Sequence, residues 1–115
     1  MPNRRLSELD ALVLLLLMQA PSHGYALLGR LPHVQPSRLY HSLHKLSGLG
    51  LVTKKEEAAF KAPVRTVYAV HPRSRGKALA AIESYLAQLE QEKERLVGAL
   101  LSLIRLHKGY LLLKP

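Results

Sequence analysis

From Leu6 to Gln19 the apolar positions nearly encircle a helix, which implies burial among other helices rather than on a surface. Ser7 stands where it can accept from the first free backbone amides, and Glu8 and Asp10 occupy the positive first turn. Pro21 closes this element. Ser22 is placed to cap a short second helix over His23 to Leu31, in which Tyr25, Leu28 and Leu31 recur at helical spacing before Pro32 ends it. Gln35-Pro36-Ser37 opens a third helix, because a proline in the first turn lacks only an amide that would have had no partner. Leu39, Leu43 and Leu46 form the inward stripe of that helix, and Gly48 and Gly50 stop it near Leu49.

The period then changes. Leu51 to Glu57 and Val64 to Val70 alternate and are rich in β-branched residues, which predicts a hairpin joined through residues 58–63, with Lys54, Lys55, Lys61 and Arg65 at its tip and flanks. His71-Pro72 breaks the second strand. A long helix is expected from about Arg73 to His107, ended by Gly109. Along it Leu79, Ile82, Leu86, Leu89, Lys93, Leu96, Leu100, Leu103 and His107 fall on alternating three- and four-residue steps, a heptad seam interrupted by Lys93 and at its last turn. At on the order of 50 Å, the helix outruns what a domain of this size can cover. A second copy of the chain is the economical partner, through a seam of Leu79, Ile82, Leu86, Leu89, Leu96, Leu100 and Leu103. Val97, Leu101, Ile104 and Leu106 lie on flanking faces, where they would cover the partner's first helices or line an effector cavity.

The 115 residues suffice for one domain with an appended element, which excludes a multidomain enzyme. Lys and Arg number 17 against 8 Asp and Glu, a net charge of +9, and twelve of the 17 precede Ala78. So asymmetric a field favours a polyanion, DNA or RNA before an anionic membrane surface. The apolar run Leu12 to Met18 is far too short to span a bilayer. A signal peptide fits poorly, because Glu8 and Asp10 interrupt the approach and Gln19-Ala20-Pro21 is a weak cleavage site. The absence of cysteine removes thiol, disulfide and iron–sulfur chemistry and suits a reducing, cytoplasmic setting.

Six histidines raise the question of a metal, and His41 and His44 sit one turn apart, yet no His-Glu-x-x-His or comparable spacing occurs. No metal and no cofactor is expected. The acids are scattered, no glycine-rich phosphate loop is present, and no serine or histidine stands in a nucleophile context, so an enzyme is not expected either. What the third helix does offer is an outward face of Ser37, Arg38, His41, His44 and Lys45, all able to donate to phosphates or base edges and with no acid on that helix beside them.

Three motifs in order carry a family resemblance: Ala20-Pro21-Ser22-His23-Gly24-Tyr25; Ser37-Arg38-Leu39-Tyr40 with Leu43 and Leu46; and Gly50-Leu51-Val52 followed by Val67-Tyr68-Ala69-Val70 and Arg75-Gly76. Together they resemble the PadR-type winged-helix transcriptional regulators, with departures at Ala26, His41 and Ser47 and a longer exit after the second strand. The resemblance implies a mainly α fold with a small β-hairpin. A winged helix-turn-helix domain would cover 1–72, a dimerisation helix 73–109 and a tail 110–115. It also implies a sequence-specific regulator, usually a repressor, that binds pseudo-palindromic double-stranded DNA as a homodimer through the C-terminal helix. Some relatives hold a small hydrophobic effector near the dimer interface. A winged-helix dimer serving protein interaction or assembly is the rival reading. In the helix-turn-helix scheme the third helix enters the major groove. Arg38 and His41 would then lie nearest the bases, with Gln35, Ser37, Tyr40, His44 and Lys45 completing the contact and Lys61 and Arg65 reaching phosphates or the minor groove from the wing. His23 reads as a capping or packing residue, and Gly24 as a point of close approach.

Overall fold

The computed structural model describes residues 5–57 and 65–113, the last four of them by backbone alone. The elements run α1 (Glu8–Gln19), β1 (Ser22–His23), α2 (Gly24–Arg30), α3 (Pro36–Gly48), β2 (Thr53–Glu57), β3 (Arg65–Ala69), a 3-10 turn (Pro72–Ser74) and α4 (Arg75–Leu113). The fold is mainly helical, with a small three-stranded antiparallel sheet and a long C-terminal helix. The chain divides into two compact units, one up to Tyr85 and one from Leu86 onward.

The first unit is built on α1 and α3. Ser7 caps α1 in a reciprocal box: its hydroxyl accepts from the Asp10 amide at 3.2 Å, and its own amide donates to Asp10 Oδ2 at 2.9 Å. Val13, Leu14 and Leu17 from α1 meet Leu27 from α2 and Leu39, Leu43 and Leu46 from α3, all essentially buried. Each such side chain contributes about 1.5–3 kcal/mol by leaving water. Leu12 and Leu15, by contrast, lie on an exposed face of α1, so that helix is not covered all round within one chain. A Schellman motif ends α3. The Gly50 amide donates to the Ser47 carbonyl and the Leu51 amide to the Leu46 carbonyl, both at 3.0 Å, and Gly50 takes the left-handed φ of 76° that this turn requires.

The sheet order is β1-β3-β2, with Ser22 opposite Tyr68, His23 opposite Val67, and Thr53 to Glu57 opposite Ala69 to Arg65. Residues 22–23 are therefore a third strand rather than the opening of a helix, and the Ser22 hydroxyl donates to the His23 carbonyl instead of capping α2. Two residues are too few to show a period in sequence; the strand exists because β3 leaves an edge for it.

Where α4 begins, its cations serve other helices. Arg75 donates to the Met18 carbonyl at 2.7 Å near the end of α1, and Lys77 to the Leu49 carbonyl at 3.2 Å at the end of α3. Both tie positive charge to the negative end of a helix dipole. Ala78 and Ile82 then complete the core of this unit. With Ile82 only 4% exposed, its place on the expected intermolecular seam is corrected: it packs within its own chain. Gly109 does not end α4 either, since the helix continues to Leu113. A glycine inside a helix costs only about 1 kcal/mol relative to alanine, and the leucines beyond it favour helix.

Candidate functional site

Helix α3 carries most of the residues singled out in sequence, and its roughly 100° per residue sorts them into three groups. Leu39, Leu43 and Leu46 point into the core. Ser37, His41 and His44 are exposed at the centre of the opposite face. Arg38 and Lys45 lie on one flank and Tyr40 on the other. Gln35 is the N-cap residue, exposed, and its carboxamide makes no capping hydrogen bond.

On the flank beside α1, the Asp10 carboxylate is 2% exposed and gathers three donors. The Ser42 hydroxyl donates at 2.5 Å, the Lys45 ammonium at 2.7 Å and the Ser7 amide at 2.9 Å. Burial pushes this carboxyl up, but the bonds from Lys45, Ser42 and Ser7, with the charge of Lys45, more than offset it and hold Asp10 below the usual carboxylate range. Lys45 also donates to the Arg5 carbonyl at 2.6 Å. This revises the expectation for Lys45, whose charge is bound to α1 rather than offered outward. Sequence reading saw no acid on α3 and could not see that α1 supplies one. Asp10 was read only as a first-turn acid, and its second oxygen, left over from the capping box, was the missed signal. Arg38 remains exposed on the rim of the hollow that Asp10 and Lys45 also line.

On the other flank a cleft of about 480 Å³ opens between α2, α3 and β3, lined by His23, Tyr25, Tyr40, Arg65, Thr66 and Tyr68. The Tyr40 ring lies directly over Gly24. A Cβ placed there would stand 2.6 Å from the Tyr40 hydroxyl oxygen and 2.8 Å from its ring, so only glycine leaves room for it. Tyr25 projects into solvent. Burial, with a smaller contribution from neighbouring Tyr40, raises the Tyr68 hydroxyl above the ordinary tyrosine value, which keeps it a proton donor. Arg65 sits directly across the ladder from Glu57, yet the Glu57 carboxylate lies 3.5 Å from His23 Nε2. Among the described residues no protein partner takes the Arg65 guanidinium. Lys61 lies outside the described residues.

The PadR-like transcriptional regulator family matches residues 13–80, more than half of the chain. The chain is a member of the PadR family. The three motifs of this PadR-family chain converge on the cleft: Gly24 and Tyr25 come from the first, Tyr40 from the second and Tyr68 from the third. Among solved structures, a PadR family transcriptional regulator from Eggerthella lenta superposes with a TM-score of 0.64 at 26% identity, covering 81% of this chain and 80% of that one. Bacillus subtilis PadR, solved in complex with operator DNA, gives 0.57 at 17% identity over 64% of this chain and 46% of that one. The regulator BldR from Sulfolobus solfataricus gives 0.59 at 24% identity over 87% and 74%. No curated protein matches the chain.

From Leu86 onward the PadR-family helix α4 presents Leu86, Leu89, Leu96, Leu100 and Leu103 exposed, as it does Val97, Leu101, Ile104 and Leu106; Leu79, nearer its start, is exposed too. Among the described residues no group of three or more histidines and acids could hold a metal, and no helix is long and apolar enough to cross a membrane.

Proposed function

We propose that this chain is a sequence-specific double-stranded DNA-binding transcriptional regulator, acting as a repressor and binding a pseudo-palindromic operator as a homodimer. The observation that carries the reading is the outward face of α3. There Ser37, His41 and His44, flanked by Arg38 and preceded by Gln35, are exposed and, among the described residues, committed to no partner within the chain. Such a face suits the major groove, whose base edges offer acceptors to guanidinium, imidazole and carboxamide donors. Arg38 is the specificity residue best suited to guanine, through a bidentate contact to O6 and N7. Membership of a regulator family and the net charge of +9 support the same reading, as does the operator DNA bound by Bacillus subtilis PadR.

The dimer is supported by the run of exposed leucines on α4, which are too many and too regularly spaced for a solvated helix surface. A twofold pair of α3 helices reads two half-sites about 34–36 Å apart. Repression needs only that the bound dimer occupy the operator. The test is selection of bound sequences from random duplex DNA, followed by affinity measured against salt. A twofold motif, with log affinity falling on log salt by about 0.9 per phosphate neutralised, is the expected result. Duplex binding that is absent at low salt, or indifferent to salt, overturns the reading in favour of a protein-interaction module.

A further inference from the structure

The cleft on the tyrosine flank of α3 has no role in reading bases, yet three elements converge to build it. Its lining is unusual for a small domain: three phenol hydroxyls, a threonine hydroxyl, an imidazole and a guanidinium. None of the Tyr25, Tyr40 and Tyr68 hydroxyls has a hydrogen-bond partner among the described residues, and neither does Arg65. The one acid nearby, Glu57, lies beside His23. What remains in the cleft is an excess of donors with one uncommitted positive charge.

We propose that this cleft seats a backbone phosphodiester of the bound DNA strand, with the Tyr25, Tyr40 and Tyr68 hydroxyls as neutral donors and Arg65 as the cation. The proposal rests on the DNA-binding reading above and assigns a site within it. Phosphate oxygens only accept hydrogen bonds, and a set of donors from three elements matches that demand better than it matches a base edge, which mixes donors and acceptors. The cleft is also larger than a lone phosphate requires, so a stretch of sugar–phosphate strand fits, with deoxyribose against the aromatic rings. Tyr40 belongs to α3 itself and is fixed over Gly24. A phosphate held here therefore sets the depth and rotation at which Ser37, His41 and His44 meet the groove. Phosphate contacts position a protein on the duplex while base contacts specify it, and this cleft does the first.

Tyr25→Phe, Tyr68→Phe and the double substitution keep the rings and remove the donors, and thermal melts check that the fold is intact. Their affinities are measured on a duplex selected by the protein and on a random duplex, with a scan of single methylphosphonate linkages in the selected duplex. Each Phe variant is expected to bind about tenfold more weakly on both duplexes, with the salt slope unchanged. Arg65→Ala is expected to lower the slope by about 0.9. One methylphosphonate position should weaken the wild type and leave the double Phe variant indifferent. Phe variants that bind as the wild type does, or that lose only the selected duplex, overturn the proposal and leave the regulator reading standing. So does a cleft that responds to inorganic phosphate alone while no methylphosphonate position couples to it. A wild-type protein that binds no duplex overturns both.

Discussion

Replacing Asp10 by asparagine tests whether the buried carboxylate holds α3 in place. The substitution keeps size and shape but leaves one carbonyl oxygen where the carboxylate accepted from the Ser42 hydroxyl, the Lys45 ammonium and the Ser7 amide. The amide nitrogen cannot accept, so at least one donor faces another donor. Hydrogen bonds to a charged group contribute about 1.5–3 kcal/mol each, and removing one partner of a fully buried ion pair costs about 3–5 kcal/mol. The Lys45 side chain retains 22% of its exposure and can turn outward to water, which lowers the figure. A loss of about 2–3 kcal/mol is expected, or a fall in Tm on the order of 10–20 °C for a unit of this size. The pH dependence follows from the direction of the Asp10 shift. Its folded pKa lies below its unfolded one, so its contribution is complete above the unfolded value and disappears as pH falls through the folded value. Urea unfolding followed by circular dichroism, at fixed protein concentration from pH 7 to pH 3, should show a gap between wild type and variant that is constant near neutrality and narrows below about pH 4. A gap under about 0.5 kcal/mol at pH 7, or one that persists on acidification, refutes the reasoning.

Gly24→Ala should push the Tyr40 ring out of the cleft and weaken DNA binding several-fold while the melt stays near that of the wild type, since the displaced ring is half exposed; unchanged binding by fluorescence anisotropy would count against the role given to Tyr40. Arg38→Ala should lose about 1–3 kcal/mol of preference for a selected over a random duplex, whereas an equal loss on both would reassign it to phosphate. Ile82→Ala should destabilise the first unit by about 2–4 kcal/mol without a change of oligomeric state, because the side chain packs within its own chain. Leu89→Glu together with Leu96→Glu should dissociate the dimer in analytical sedimentation, and an unchanged dimer would remove the α4 seam from the proposal.

What was legible in the sequence was the periodic part. Leu39, Leu43 and Leu46 announced both the existence and the inward face of α3, and Ser7 announced the start of α1. Where reading failed, the deciding partner lay far away in sequence. Ile82 shares its stripe with Leu79 and Leu86, and no heptad reveals that Ala78 and Ile82 close the core of one chain while Leu86 and beyond stay exposed. Strand β1 is too short to carry a pattern and exists only through its pairing with β3. Lys45 looked like a cation on a face free of acids because Asp10 is 35 residues away. The cleft was missed for the same reason: Gly24, Tyr40 and Tyr68 were each noticed, but nothing in their spacing says that they meet.

Both flanks of α3 are thus fixed by different chemistry. Asp10 binds Ser42 and Lys45 on one side, and Gly24 receives the Tyr40 ring on the other. A helix held at both edges cannot roll to optimise one base contact without breaking a charge-assisted hydrogen bond or a ring contact. Between those edges Ser37, His41 and His44 bear on no core residue, and exchanging them costs the fold little. The division predicts where change is tolerated. A new sequence preference should be reachable by altering these three residues with Arg38, whereas altering Asp10, Ser42, Lys45, Gly24 or Tyr40 should degrade binding to every sequence at once, because it moves the whole reading face rather than one contact on it.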